Sequence, residues 1–270
     1  MVGANPCRIR RTTWSEGREV VLTAIDLNAD LAEEAGDDEA LYPFLSSANV
    51  CCGRHAGGIA AMTKAVQAAI KHDVVIGAHV GYEDRENFGR FDVEMEYDAL
   101  RKLTFDQIHD LLDVVSAQGA TMKYVKPHGA LYHRIGNDAE QAAAVVDAIA
   151  EINPELHVLV PDTEIIKSTA RDAGLTVIHE FFADRAYLPE GTLVPRSIPD
   201  SVLHDADQIS ERVLTWLEHG NIAASDGTQV SVDAKSICLH GDTPGAVASA
   251  ASIYQRCKSA GYEIKSWMDN

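Results

Sequence analysis

The sequence lacks the short signatures by which nucleotide-binding and metal-binding proteins are most often recognised. Neither G-x-x-x-x-G-K-[ST] nor a G-x-G-x-x-G that opens a helix occurs, so no P-loop or Rossmann phosphate site is predicted. The spacings of zinc fingers and of H-E-x-x-H metalloproteases are absent too. A catalytic site in this chain must therefore be assembled from residues that lie far apart in the sequence.

Cysteine is scarce, and its placement argues against a disulfide framework. The chain has five cysteines and no C-x-x-C pair. Cys51 and Cys52 are neighbours inside an apolar run, where a mutual disulfide would be strained and buried thiols are common. We therefore expect a protein of the reducing cytoplasm.

Long apolar runs are missing as well. No stretch approaches the roughly 18 residues that a membrane-spanning helix needs. Residues 1–20 are polar and basic, without the apolar centre of a signal peptide. We expect residues 1–20 to form a flexible N-terminal extension, and we expect no membrane partner.

Positive charge is the third shortage. Lysine and arginine number 23 against 41 acidic residues, and the net charge of −18 repels nucleic acid and anionic membrane surfaces. Nucleic acid is therefore not a predicted partner. An anionic small-molecule substrate stays compatible with this charge, because basic residues fall in predicted loops or strand ends: Arg54, Lys126, Arg185 and Arg196.

What the chain does contain is a regular alternation of short apolar runs and amphipathic segments. Its 270 residues are 46% hydrophobic, which is ample for a core. Apolar runs predict strands at 20–27, 47–52, 74–78, 122–126, 156–160, 175–182 and 236–239. Helical spacing predicts helices at 60–71, 94–118, 138–149, 163–173, 205–218 and 245–259. This alternation is typical of parallel α/β proteins. The predicted fold is a TIM-barrel-like (β/α) barrel of about seven parallel strands, in one domain spanning 21–270.

Polar side chains recur where the predicted strands end. In Lys126-Pro127-His128-Gly129, an apolar strand delivers an ammonium and an imidazole to a point where Pro and Gly stop regular structure. The carboxyl ends of barrel strands meet at one mouth, so such residues are expected to converge there. The full set is Asn28, Asp30, His55, His79, Lys126, His128, Glu180, Asp184, Arg185, His240 and Asp242.

Lys126 is the most informative member of this set. An unpaired charge at the end of a buried strand is costly, so its ammonium has to meet a carboxylate or a substrate anion. We expect the ammonium to point into the mouth, and we expect Lys126→Met to leave folding nearly intact while lowering activity. The alternative is a structural ion pair with Glu180 or Asp184. Asp30 also has a structural alternative, as an acceptor for loop amides, and Asp242 has another, as the cap of the last helix.

Six stretches of the chain together resemble the LamB/YcsF family. They occur in family order and cover about 22–265: IDLNADLAE (25–33), SANVCCGRHAGG (47–58), VVIGAHVGYEDRENFGR (74–90), VKPHGALYH (125–133), FADRAYLPEGTLVPRS (182–197) and CLHGDTPGAV (238–247). The resemblance implies a TIM-barrel-like fold and the ATP-dependent opening of 5-oxoproline (pyroglutamate) to L-glutamate. It also implies two partners, subunits B and C of 5-oxoprolinase.

The implied chemistry assigns roles to the residues at the strand ends. A five-membered lactam is a resonance-stabilised amide, and phosphorylation of its carbonyl oxygen by ATP makes the carbon electrophilic enough for water. Such a site needs cations for phosphate and carboxylate, a base for water and an acid for the ring nitrogen. The catalytic candidates are Asp30, His55, His79, Lys126 and His128. The substrate-binding candidates are Asn28, Glu180, Asp184, Arg185, Arg196, His240 and Asp242.

Three departures from the family pattern keep other functions open. The family's G-F-H-A-G-D is Gly53-Arg54-His55-Ala56-Gly57-Gly58 here, its L-G-E-G is Leu31-Ala32-Glu33-Glu34, and its G-A-H-P is Gly77-Ala78-His79-Val80. Gly58 removes a carboxylate that is either a helix cap or a functional group. One alternative is a non-catalytic or regulatory binding subunit that retains the barrel. Another is a metal-dependent, deacetylase-like hydrolase whose divalent metal is held by Asp30, His55 and His79.

Overall fold

A computed structural model describes residues 23–269 of the chain. Its strands are β1 (Thr23–Leu31), β2 (Ser47–Cys51), β3 (Val75–Val80), β4 (Met122–Pro127), β5 (His157–Leu159), β6 (Thr176–Ile178), β7 (Glu180–Phe182), β8 (Asn221–Ala223), β9 (Gln229–Ser231), β10 (Ser236–His240) and β11 (Tyr262–Ile264). The predicted extension, 1–20, and the first residues of the predicted strand at 20–27 lie outside the described residues.

The helices follow the predicted positions closely, with two short additions, α1 and α4. They are α1 (Asp38–Leu41), α2 (Ile59–His72), α3 (Tyr97–Ala117), α4 (Gly129–Arg134), α5 (Ala139–Ile152), α6 (Glu164–Asp172), α7 (Ala206–His219) and α8 (Ala246–Ser259). Asp138 caps α5 by accepting hydrogen bonds from two backbone amides, and Asp205 caps α7 in the same way with one. No helix within residues 23–269 combines the length and apolar character needed to cross a membrane.

The strands form a nearly closed parallel barrel. Their order is β6-β5-β4-β3-β2-β1-β10-β7, and every neighbouring pair is parallel. The predicted α/β barrel is thus confirmed, with eight strands in this path instead of about seven. Strand β11 additionally pairs with the start of β1, and β8 and β9 form a separate antiparallel pair. These three short strands were not predicted.

One predicted strand, 175–182, is wrong because the structure divides it at His179. Its first half, β6, pairs with β5, whereas its second half, β7, pairs with β10. The carbonyl of His179 accepts a hydrogen bond from Lys235 N at 3.0 Å, so the change of partner occurs at this residue. The segment 176–182 therefore closes the barrel by bonding to opposite ends of the sheet.

Strand β1 is longer than predicted, which brings Asp30 onto the sheet. The sequence pattern predicts a loop from Asp30 onward, yet β1 continues to Leu31 because it is paired on both sides. The register sets Asp30 opposite His240 and, two strands away, His79 opposite Lys126. Polar side chains thus share one rim above strands whose apolar residues are buried in the core.

Candidate active site at the barrel mouth

The mouth of the barrel holds a cavity of about 440 Å³. Seven of the twelve predicted site residues line it: Asp30, His79, Lys126, His128, Arg185, Arg196 and His240. The other five lie beside these and contact a residue of the cavity wall: Asn28, His55, Glu180, Asp184 and Asp242. The structure therefore brings all twelve to one end of the barrel, as strand topology predicts.

The Lys126 ammonium is enclosed by acceptors. Its Nζ lies 3.1 Å from Asp30 Oδ1, 3.0 Å from Glu180 Oε2 and 3.3 Å from Asn28 Oδ1, and the residue is 2% exposed. Burial lowers the pKa of Lys126, but Asp30, Cys238 and Glu180 outweigh it and raise that pKa well above its ordinary value. The ammonium faces the cavity as expected, but it is also the structural ion pair considered as the alternative. Its partner is Glu180 and not Asp184.

Three histidines and Glu33 meet behind this cation. We call Glu33, His55, His79 and His128 the Glu–His cluster; one ligand atom from each lies within 4.8 Å of the others. Glu33 Oε1 is 3.2 Å from His55 Nε2, 3.8 Å from His79 Nε2 and 3.5 Å from His128 Nδ1. The rings of His55 and His128 stack with centroids 3.9 Å apart. All four residues are buried.

The electrostatics of the cluster follow from its burial. Burial, with the nearby Asp30 and Asp242 carboxylates, raises the pKa of Glu33 well above its ordinary value. Burial also lowers the pKa of His55, and together with the two neighbouring imidazoles it lowers the pKa of His128 well below its ordinary value. The imidazoles of His55 and His128 are thus held in their neutral forms, with lone pairs available.

The hypothesised metal set of Asp30, His55 and His79 is not the group that the structure assembles. Asp30 Oδ1 accepts hydrogen bonds from Lys126 at 3.1 Å and Asn49 at 2.7 Å, and it lies 3.4 Å from His79 Nε2. Burial raises the pKa of Asp30, but His79 and Lys126 lower it more, to well below its ordinary value. Glu33 and His128 stand in the cluster in place of Asp30.

A strained turn holds Glu33 in position. The residues on either side of it, Ala32 and Glu34, have φ values of 62° and 57°, in the left-handed region that non-glycine residues rarely adopt. Asp38 Oδ2 accepts a hydrogen bond from Ala32 N at 2.7 Å. Gly57 (φ 55°) packs so closely that a Cβ there would lie 2.0 Å from the Ala32 carbonyl oxygen. The backbone on both sides of Glu33 is therefore fixed by contacts outside the cluster.

The opposite wall of the cavity is cationic. Arg90, Arg185 and Arg196 all line it. The Arg185 guanidinium donates to the backbone carbonyls of Ser201 and Val194, and burial together with Arg196 lowers its pKa to about 10. Burial and Arg90 also lower the pKa of Arg196. Guanidinium groups that repel one another around a cavity favour an anionic ligand.

Two acidic residues that were predicted to bind substrate have protein partners instead. Asp184 contacts His240 Nδ1 at 2.9 Å and accepts from His240 N at 3.2 Å. Burial raises the pKa of Asp184, but the interactions with His240 lower it more, leaving it below its ordinary value. Asp242 pairs with Arg90 at 2.5 Å and does not cap the last helix, whose N-cap is Gly245.

The departures around His55 have a structural explanation. Gly58 is the N-cap residue of α2, with no side-chain hydrogen bond to the helix and no atom within 4 Å of a Cβ built on it. Arg54 pairs with Asp110 of α3 at 2.8 Å and does not line the cavity. The missing carboxylate at residue 58 is thus first of all a missing helix cap.

Sequence reasoning missed Glu33 and Arg90 as site residues. Glu33 sits in an acidic loop segment where any carboxylate looks solvent-exposed, and the available signal was its central place in the L-G-E-G position of the family pattern. Arg90 ends the stretch 74–90, but no strand ends there. Both reach the mouth through loop geometry that periodicity does not encode.

Fold and site together define a parallel (β/α)-barrel protein with a small-molecule cavity at the carboxyl ends of its strands. The LamB/YcsF family matches residues 25–270, and the chain belongs to this family.

Curated relatives and solved structures agree with this assignment. The chain is 47% identical over 251 residues to the first 5-oxoprolinase A-subunit of Agrobacterium fabrum, covering 91% of this chain and 98% of that one. It is 43% identical over 253 residues to the 5-oxoprolinase A-subunit of Cutibacterium acnes, covering 90% and 99%. The crystal structure of the lactam utilization protein from Thermus thermophilus superposes with a TM-score of 0.84 at 35% identity, over 91% of this chain and 100% of that one.

Proposed function

We propose that this chain is the A-subunit of a 5-oxoprolinase, a hydrolase that opens 5-oxoproline to L-glutamate with ATP, together with subunits B and C. The observation that carries the proposal is the match to curated relatives of that name over nearly their whole length. The paired walls of the mouth support it, because one offers guanidinium groups and the other carboxylates and imidazoles.

The cavity suits a small anionic lactam. Its volume, about 440 Å³, falls within the range of small-molecule sites. Arg185 and Arg196 are the cations best able to hold the substrate carboxylate or a transferred phosphate. Lys126 is less suited, since its three N–H donors already face Asp30, Glu180 and Asn28. Its role is to keep the two carboxylates ionised and in position.

The acid–base groups lie on the other wall. His79 and His128 reach the cavity surface, and burial favours the neutral, proton-accepting form of His128. They are the candidates for activating water and for protonating the ring nitrogen as it leaves. His55 and Glu33 position them from behind.

ATP is the co-substrate of the complex, and the cytoplasm is where the reaction takes place in this proposal. The sequence has no nucleotide signature, so a partner subunit is expected to supply most of the ATP contacts. The described cysteines, Cys51, Cys52, Cys238 and Cys257, are buried free thiols, which is consistent with a reducing compartment.

The test is glutamate release from 5-oxoproline with ATP, measured for the chain alone and with subunits B and C. Arg196→Met should lower kcat/KM of the complex about 10–100-fold, the range expected for a charged hydrogen bond. Arg54→Met, outside the cavity, is the matched control and should act like wild type. Glutamate release without ATP would favour the metal-dependent hydrolase, and no release with both partners would favour a non-catalytic binding subunit.

A further inference from the structure

Two buried imidazoles face each other in an arrangement that neutral rings alone do not stabilise. His79 Nδ1 lies 3.0 Å from the Lys126 carbonyl oxygen, and His128 Nε2 lies 2.8 Å from the Phe88 carbonyl oxygen. A carbonyl only accepts, so these outer nitrogens carry the hydrogens. The inner nitrogens, His79 Nε2 and His128 Nδ1, are then both lone-pair acceptors at a separation of 2.9 Å. A positive species has to lie between or beside them.

The other members of the Glu–His cluster indicate what that species is. Glu33 Oε1 lies 3.2 Å, 3.5 Å and 3.8 Å from the facing nitrogens of His55, His128 and His79. Zinc bonds to nitrogen or oxygen of about 2.0–2.2 Å give tetrahedral edges of roughly 3.4 Å. The measured separations between ligand atoms scatter around this value. A shared proton joins two atoms, whereas here a carboxylate and three imidazoles converge.

The outer hydrogen bonds of the histidines support the same conclusion. Metal-ligating histidines usually donate their second ring N–H to a carbonyl or carboxylate, which fixes the tautomer and aims the lone pair. His79 and His128 both do so. By contrast, the neighbouring group Asp30, Cys238 and His240 already surrounds a cation, because Lys126 Nζ lies 3.1 Å from both Asp30 Oδ1 and Cys238 Sγ.

We propose that Glu33, His55, His79 and His128 bind one divalent transition-metal ion of the zinc type. The site lies at the inner wall of the cavity, where His79 and His128 form part of the surface. An ion there would supply Lewis-acid polarisation to a carbonyl in the cavity. The proposal rests on the ligand geometry and stands whether or not 5-oxoproline is the substrate.

The test measures metal binding directly on the full chain. Protein stripped with a chelator is titrated with Zn²⁺ by calorimetry, and Co²⁺ is added separately to record its ligand-field absorption. We expect one ion per chain, intense Co²⁺ bands typical of low coordination number, and a melting temperature that rises with Zn²⁺ concentration. Glu33→Gln and His128→Gln should each weaken Zn²⁺ binding by more than about 100-fold, beyond the loss typical of outer-shell changes.

The control is His109→Gln, which changes an exposed histidine on the outer face of α3 and should bind like wild type. Circular dichroism establishes that each variant is folded. If a cluster variant does not fold, ¹⁵N-histidine NMR of the wild type decides, because Zn²⁺ must shift the signals of three imidazoles. The proposal fails if the folded wild type binds no stoichiometric ion, or if the ion persists in folded cluster variants.

Discussion

At the scale of single residues, the buried ion pairs of the mouth are its most demanding feature. Lys126 stands between Asp30 and Glu180 with almost no exposure to water. Removing one partner of such a group leaves charge uncompensated in the interior, which costs far more than an exposed pair contributes. The sequence-based expectation that Lys126→Met leaves folding nearly intact is therefore replaced.

Lys126→Met should lower the free energy of unfolding by about 3–5 kcal/mol, because two carboxylates lose their cation. Lys123→Met, an exposed change on the same strand, is the control and should stay within about 0.5 kcal/mol of wild type. Urea denaturation measures both. Equal stability of the two variants would show that Asp30 and Glu180 are satisfied without the ammonium.

Asp184 should make the protein acid-sensitive. Its pKa in the folded state lies below its ordinary value of 3.8, so the folded state binds fewer protons than the unfolded state as this carboxylate titrates. The stabilisation is present above that value and is lost as pH falls through the folded-state pKa. The stability difference between wild type and Asp184→Asn should narrow from pH 5 to pH 3. A constant difference over this range would contradict the assignment.

At the scale of elements, the loop after β1 and the start of α2 together form the back of the Glu–His cluster. The loop keeps two non-glycine residues in left-handed conformations, and the helix begins without a side-chain cap. Both are places where the family pattern has a residue better suited to the backbone. Each departure thus leaves stability to be regained without touching the cavity.

Glu34→Gly should stabilise the protein by about 0.5–1 kcal/mol. Glycine relieves a left-handed conformation that costs other residues about 1–2 kcal/mol, less the entropy it adds to the unfolded chain. Glu34→Ala removes the same exposed carboxylate but keeps the strain, so its stability should stay near wild type. Denaturant titration of all three proteins separates strain from charge, and equal gains in both variants would point to charge.

Gly58→Asp should stabilise α2 by about 0.3–1 kcal/mol, since aspartate both caps the helix and places a negative charge at its N-terminus. Gly58→Ala adds a Cβ without a cap and is the matched control. Thermal unfolding gives the stability, and the assay of the complex gives activity. A large gain in kcat from Gly58→Asp would mean that the missing carboxylate is functional and not merely a cap.

How much the sequence predicted depends on the range of the interactions involved. Helices α2 and α5 were placed within a few residues, because their apolar spacing and caps are local. The division at His179 was not predictable, since it depends on which distant strands each half meets. Glu33 was missed for the same reason: only the folded loop turns it toward three histidines from other elements.

At the scale of the whole molecule, charge is unevenly distributed. The chain carries a net charge of −18, yet three arginines line its main cavity. An anionic substrate is therefore drawn to the mouth and held off elsewhere. The same distribution offers acidic outer surfaces to partner subunits.

The isolated chain should show no ATP hydrolysis stimulated by 5-oxoproline, because its sequence carries no nucleotide-binding signature. Phosphate release measured with and without subunits B and C is the check. The chain with Arg196→Met, mixed with both partners, serves as a control for activity that depends on this cavity. Robust stimulated ATPase from the purified chain alone would overturn the expectation.

The closing strands also set the order in which the protein can be made. Asp26 of β1 lies beside Ser236 of β10, 210 residues later in the chain. At ordinary rates of synthesis, one edge of β1 waits on the order of tens of seconds for its partner on the ribosome. Strand β7 waits for the same partner. Until β10 emerges, the nascent sheet has open edges that other chains can join, so this barrel depends on its last strands for protection against aggregation.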